Sequence, residues 1–139
     1  MALQKDVDAL NSWSNDNYSK FNPIKCKFMM LSRKRGNSAP QHTLFLMGEP
    51  IEKVNSFKYL GVTISDDLTW SKHIQTISSK ARRIIGMLYR QFYRYTSTPA
   101  LLHSYKTQIR PHLEYASVVW DPYLAKDIQL LEGVQEKDL

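Results

Sequence analysis

The feature that most constrains this chain is an apolar stripe between residues 69 and 93. Its members alternate spacings of four and three residues: Trp70, Ile74, Ile77, Ala81, Ile84 and Leu88. At about 100° per residue these positions share one side of an α-helix, and the basic residues of the segment occupy the opposite side. The pattern predicts a long helix over residues 69–93, with one face for a protein core and the other for water or phosphate.

The positive charge of the chain is concentrated around this helix. Residues 71–110 hold eight lysines and arginines and no aspartate or glutamate, whereas the whole chain has 19 basic and 13 acidic residues. A local excess of this kind favours a polyanionic partner. A basic face that is merely solvated is the alternative. The residues predicted to contact phosphate are Lys72, Lys80, Arg83, Arg90 and Arg94.

The first half of the chain predicts one helix and about three strands. A helix over residues 2–14 follows from apolar residues that share one face: Leu3, Val7, Leu10 and Trp13. Strands are predicted at residues 25–31, 43–47 and 57–64, which are rich in consecutive apolar, β-branched or aromatic residues. Gly61, inside the last of these, indicates a β-bulge or the close approach of another backbone.

The second half predicts helices. Ser65-Asp66-Asp67 supplies N-cap side chains for the long helix, and Thr98-Pro99 marks the start of the next one. Pro111 kinks or stops that helix, and residues 127–134 form a last helical pattern. The buried side of the helix from Thr98 is predicted from Leu101, Leu102, Tyr105 and Ile109, and the last helical pattern runs through Ile128, Leu131 and Val134. A small sheet with one helix, followed by helices, is an α+β architecture.

Several classes of protein and site are disfavoured. The single cysteine, Cys26, allows no intrachain disulfide, which fits an intracellular setting in the cytoplasm or nucleus. No apolar run approaches the roughly 20 residues of a membrane span, so no membrane partner is expected. The four histidines are scattered without metal-ligand spacing, so no metal site is predicted. Asp66-Asp67 fits helix capping better than a catalytic pair.

Five blocks of the chain occur in the order and with the gaps of a known family. The first is residues 3–14 with Phe21-Asn22-Pro23-Ile24-Lys25-Cys26, and the second is Phe57-Lys58-Tyr59-Leu60-Gly61-Val62-Thr63-Ile64. The third is residues 68–74 with 80–83, the fourth Arg110-Pro111-His112-Leu113-Glu114-Tyr115-Ala116-Ser117, and the fifth Val119-Trp120-Asp121-Pro122-Tyr123. Together they resemble the reverse transcriptases, or RNA-directed DNA polymerases, of non-LTR retrotransposons.

The resemblance implies a division and a set of roles. Residues 1–66 would be the C-terminal part of the palm, and residues 67–139 a truncated helical thumb. Lys25 matches the lysine thought to protonate the departing pyrophosphate, although a solvated lysine at a strand end is the reading without the resemblance. Tyr59-Leu60-Gly61 matches the primer-grip hairpin, where a glycine lets backbone approach nucleic acid. The helix from Trp70 matches a thumb helix that follows the backbone of an RNA–DNA or DNA duplex.

The chain also departs from the family. The catalytic Asp-Asp motif and the fingers are absent, and the magnesium ions of the parent enzyme need those carboxylates. We therefore expect a fragment that holds no cofactor, does not polymerise alone and lacks its partners, the fingers and the rest of the palm. An exposed sheet edge would favour self-association. The alternatives are a non-catalytic nucleic-acid-binding or interaction module, and an inert remnant of a mobile element.

Overall fold

The protein consists of two compact units. The structure, a computed structural model, describes residues 2–31, 43–92 and 98–135, so the prediction for Arg94 lies outside the described residues. The first unit comprises residues 1–57 and 65–68, and the second comprises residues 58–64 and 69–139. None of the described helices is long and apolar enough to cross a membrane.

The first unit combines one helix with very short strands. The predicted N-terminal helix is confirmed as α1, Ala2–Asp16, and a 3-10 helix follows at Pro23–Lys25. The strands are β1 (Lys27–Phe28), β2 (Phe45–Leu46), β3 (Glu49–Pro50) and β4 (Glu52–Lys53). Strand β1 pairs with β4 in parallel, and β2 pairs with β3 antiparallel.

The ladders are shorter than predicted for a physical reason. Met47 and Gly48, between β2 and β3, both have positive φ angles, which is the backbone of a tight hairpin turn. Pro50 then ends β3, because a proline has no N–H to donate to a ladder. The edge of β2 is occupied by a side chain: the Gln4 amide donates to the Phe45 carbonyl at 2.9 Å and accepts from the Phe45 N–H at 3.0 Å.

A β-hairpin follows, where a single strand was predicted. Strands β5 (Ser56–Tyr59) and β6 (Val62–Ser65) pair with each other. They are joined by Leu60 and Gly61, whose φ angles are +47° and +89°. Two consecutive left-handed residues form the reversed turn that matches the twist of a two-residue hairpin. The prediction of one continuous strand over residues 57–64 was therefore wrong, whereas the hairpin that the resemblance implied at Tyr59-Leu60-Gly61 is present.

The second unit is mostly helical. The long helix is confirmed as α2, Ser71–Phe92. The remaining helices are α3 (Thr98–Ser104), a π-helix (Tyr105–Ile109), α4 (Arg110–Glu114), α5 (Ser117–Trp120) and α6 (Ala125–Gln135). Asp66 and Asp67 lie in the turn after β6, and the helix begins at Ser71, so N-capping by Ser65-Asp66-Asp67 stays a prediction. The α+β class is confirmed.

Pro111 distorts its helix without ending it. A proline at this position offers no N–H to the carbonyl one turn earlier, and its ring crowds that carbonyl. The chain responds with the π-helix just before it, in which the Arg110 N–H bonds the Tyr105 carbonyl five residues back. Helix α4 then continues to Glu114. At the predicted kink, the backbone hydrogen bonds therefore change from the i→i−4 pattern of an α-helix to the i→i−5 pattern of a π-helix.

The core of the second unit lies along the predicted stripe of α2. Ala81 and Leu88 are buried together with Ile85, Ile109, Leu113 and Val134, and Ile74 is buried with Val62 and Trp120. Trp70, Ile77 and Ile84 are partly buried against these two clusters. Leu102, which was predicted to be buried, is instead 37% exposed.

Candidate nucleic-acid interface

The basic side chains of α2 lie on its solvent side. Lys72, Lys80, Arg83 and Arg90 are all exposed, on the helix whose opposite face packs into the core. At about 1.5 Å per residue they extend over roughly 27 Å of helix. None of the four forms a salt bridge within the described part of the chain. Their charges are therefore available to a partner.

Two neighbouring helical residues modify this basic face. His112, on α4, lies 3.3 Å from Lys80, measured from Nδ1 to Nζ. Arg110 is not equivalent to the residues of α2, because its guanidinium donates to the Glu114 carboxylate at 2.6 Å. That hydrogen bond and the charge of Glu114 raise the pKa of Arg110. The carboxylate also offsets part of the positive charge on α4.

The predicted primer-grip residues form the tip of the β5–β6 hairpin. Tyr59 is 60% exposed and Leu60 is 74% exposed, and Gly61 is exposed as well. This tip belongs to the second unit, the same unit as α2. The structure therefore brings the hairpin tip and the basic helix into one compact body.

Tyr115, which the sequence did not single out, contacts the hairpin tip directly. Its hydroxyl donates to the Leu60 carbonyl at 3.0 Å. A Cβ atom added to Gly61 would lie 2.9 Å from Cε1 of the Tyr115 ring. Two features therefore favour a glycine at position 61: its φ angle of +89°, and the nearby Tyr115 ring, which a side chain would have to displace. The sequence had predicted a β-bulge or the close approach of another backbone at Gly61. The group that lies beside it is instead the Tyr115 ring.

His73 fastens the second strand of the hairpin to α2. The Thr63 N–H donates to its Nδ1 at 3.2 Å, and its ring meets Trp120 edge to face at 5.1 Å between centroids. Its Nε2 has no hydrogen-bond partner among the described residues. Burial lowers the pKa of His73, and the charge of Lys58 lowers it further. A neutral imidazole with an acceptor at Nδ1 and the proton on Nε2 fits this environment.

Lys25 lies in the other unit. It is exposed and occupies the last position of the 3-10 helix Pro23–Lys25, two residues before β1 begins. Asn22 starts this helix, with its side chain accepting from the Ile24 N–H at 3.1 Å. The strand predicted from residue 25 therefore begins later than expected. The Lys25 side chain projects from a capped turn.

The described residues do not fit a catalytic metal site. No group of three histidine, cysteine, aspartate or glutamate side chains is placed to hold an ion in that part of the chain. Two-metal nucleotidyl transfer needs converging carboxylates. Asp66 and Asp67, the adjacent acidic pair, occupy the turn after β6.

Two curated relatives, both from Drosophila melanogaster, are similar to this chain. The RNA-directed DNA polymerase from mobile element jockey is 30% identical over 86 residues, which cover 62% of this chain and 9% of that protein. The probable RNA-directed DNA polymerase from transposon X-element is 24% identical over 140 aligned residues, which cover 97% of this chain and 15% of that protein. The chain thus spans a small part of the length of each.

No family model matches the chain, and no solved structure matches it. The match to the X-element polymerase runs through both units, and so do the sequence blocks that predict the family. These two relatives confirm that the chain resembles the reverse transcriptases of non-LTR retrotransposons.

Proposed function

We propose that the second unit binds the sugar–phosphate backbone of an RNA–DNA or DNA duplex, as the thumb of a reverse transcriptase. The observation that carries this proposal is the row of exposed basic side chains on α2, opposite a buried apolar face. Phosphate contacts of this kind position a duplex without reading its sequence. A polymerase needs contacts that are independent of sequence, because it must hold templates of every sequence.

The hairpin tip supplies a second contact in this proposal. Tyr59, Leu60 and Gly61 would hold the primer end, as the resemblance implies for the primer grip. The tip is exposed and belongs to the same unit as α2, so both contacts can act on one duplex. The Tyr59 ring and the Leu60 side chain offer apolar surface to a terminal base or sugar.

The chain would contribute binding and not chemistry. In the parent enzyme, Lys25 would assist the departure of pyrophosphate, beside magnesium ions held by carboxylates that this chain lacks. Its partners would be the duplex together with the fingers and the remaining palm, inside the cell. By itself the chain is expected to be inactive as an RNA-directed DNA polymerase.

The test measures binding of a fluorescently labelled RNA–DNA hybrid by anisotropy across a sodium chloride series. The variant Lys80→Gln/Arg83→Gln/Arg90→Gln keeps good helix formers at exposed positions and removes three charges. Each phosphate contact contributes about 0.9 to the slope of log K against log salt, so the slope should flatten by between about 2 and 3. The affinity at low salt should fall as well.

A matched control variant distinguishes the effect of the α2 charges from the effect of lowering the net charge of the chain. Lys5→Gln/Lys20→Gln/Lys126→Gln removes the same number of charges from exposed positions outside α2. It should leave the slope close to that of the wild type. If the two triple variants behave alike, the α2 row is not the binding surface. If the wild type does not bind at all, the chain is an inert remnant in this respect.

A further inference from the structure

The exposed turn of the hairpin is held at two points by the helical part of its own unit. The Thr63 N–H is bound to His73 on α2, and the Leu60 carbonyl is bound to the Tyr115 hydroxyl. The first bond fastens strand β6, and the second fastens the turn itself. A two-residue turn that protrudes into solvent usually has no such support from outside the hairpin.

Tyr115 is in turn anchored to the core. Its carbonyl accepts from the Trp120 Nε1–H at 2.7 Å, and Trp120 is only 3% exposed. The next residue, Ala116, has a left-handed backbone with φ of +54°, which costs a non-glycine residue about 1 kcal/mol. The Trp120 ring also meets the ring of His73. A closed circuit of contacts therefore runs from the hairpin through Tyr115, Trp120 and His73 back to the hairpin.

We propose that Tyr115 is a positioning residue that holds the Leu60–Gly61 turn in the orientation in which it grips the end of a nucleic-acid duplex. The inference rests on the proposed function of this unit. An unsupported turn would have to be ordered when the duplex binds, and that ordering weakens binding. The Tyr115 ring and hydroxyl order the turn beforehand. Tyr115 is 56% exposed, so it contributes little to the packing of the core.

The position of the turn can be measured directly in the full chain by NMR. The α-protons of Gly61 should carry a ring-current shift, because a proton there points at the Tyr115 ring. Tyr115→Phe keeps the ring and should keep most of this shift. Tyr115→Ala should abolish it. Tyr123→Ala, at a tyrosine of the same unit that is 64% exposed, is the matched control and should leave Gly61 unchanged.

The consequence for binding is measured with two hybrids of equal length. One has a recessed DNA 3′ end, and the other is closed by loops at both ends. The basic face of α2 binds both, whereas the turn contributes only to the open one. Tyr115→Phe should weaken binding of the open hybrid by about 2- to 10-fold, the range for one lost hydrogen bond. Tyr115→Ala should reduce it to the affinity for the closed hybrid, with an unchanged salt slope.

The outcomes are distinguishable from a failure of the proposed function. If the Gly61 resonances are the same in the wild type and in Tyr115→Ala, no ring lies against the turn and the proposal is overturned. It is also overturned if the shift is present but both variants bind the two hybrids as the wild type does. A wild type that binds neither hybrid overturns the proposed function and with it the grip. The Gly61 resonances then still report whether Tyr115 holds the turn.

Discussion

The two units of this chain differ in how they bury apolar surface. Among the described residues, the second unit has nine apolar side chains that are at most 9% exposed, and the first has only Leu44 and Leu46. The apolar face of α1 illustrates the difference, since Leu3, Leu10 and Trp13 are each about half exposed. The same periodicity that builds the core along α2 leaves α1 with little to pack against.

The comparison teaches that an amphipathic pattern specifies a helix but not its burial. Both α1 and α2 have a regular apolar stripe, and both form where the stripe predicts them. Helix α2 meets two groups of apolar residues contributed by later helices and by Val62 of β6. On α1, the polar side chain of Gln4 forms two hydrogen bonds with the backbone of Phe45 in β2. Burial depends on what the rest of the chain offers.

The largest expected effect comes from the same substitution made in each unit. Leu88→Ala removes a side chain that is 5% exposed in the α2 core and should lower the free energy of unfolding by about 2–5 kcal/mol. Leu10→Ala, at a position 53% exposed on α1, should change it by less than about 0.5 kcal/mol. Urea unfolding followed by circular dichroism measures both. Equal effects would contradict the contrast between the units.

Two serine hydroxyls that form hydrogen bonds provide the next comparison. The Ser71 hydroxyl donates to the Asp127 carboxylate at 2.7 Å and joins α2 to α6, so Ser71→Ala should cost about 1.5–3 kcal/mol, the range for a bond to a charged group. In the first unit the Ser14 hydroxyl donates to the Ser19 carbonyl, and Ser14→Ala should cost about 0.5–1.5 kcal/mol. Thermal melts of the two variants should preserve that order. A reversed order would show that the first unit depends more on its polar contacts.

The pH dependence of stability should report on His73. Its pKa is lowered in the folded protein, so the unfolded chain takes up a proton at a higher pH than the folded one does. The stabilisation from neutral His73 is therefore fully present above the unfolded pKa of about 6.5, and it is lost as the pH falls through the folded pKa. His73→Asn keeps an acceptor for the Thr63 N–H without titrating. Urea midpoints between about pH 7.5 and about pH 5 should fall less for this variant than for the wild type.

The smallest effect is expected at the ion pair of the first unit. The Glu52 side chain is 66% exposed and pairs with Lys27 across the β1–β4 ladder. Exposed pairs of this kind contribute between about 0 and 1 kcal/mol, so Glu52→Gln should be almost neutral. The salt dependence of the urea midpoint should hardly change. A loss above that range would mean that the parallel ladder depends on this pair.

The helices and their faces could be predicted because their signals are local. The bounds of α2 differ by one or two residues from those predicted, and its buried and exposed sides match the stripe of Ile74, Ala81 and Leu88. The strands could not be bounded as well, since each needs a partner elsewhere in the chain. The residue pattern alone missed the turn at Leu60–Gly61, because a leucine in its first position hides the usual asparagine–glycine signal. Only the family resemblance implied a hairpin there.

The features of the candidate site also fall into those that local sequence patterns predict and those that depend on contacts between distant residues. The sequence by itself determined a basic face on α2, because helical periodicity sorts charges from apolar residues within one segment. It also predicted the resemblance to reverse transcriptases, through blocks whose order is a property of the chain. Only the tertiary structure brought Tyr115 to Leu60, which are 55 residues apart, and buried His73 against Trp120. Contacts over such distances depend on how the helices pack, and that packing leaves no periodic trace in the sequence.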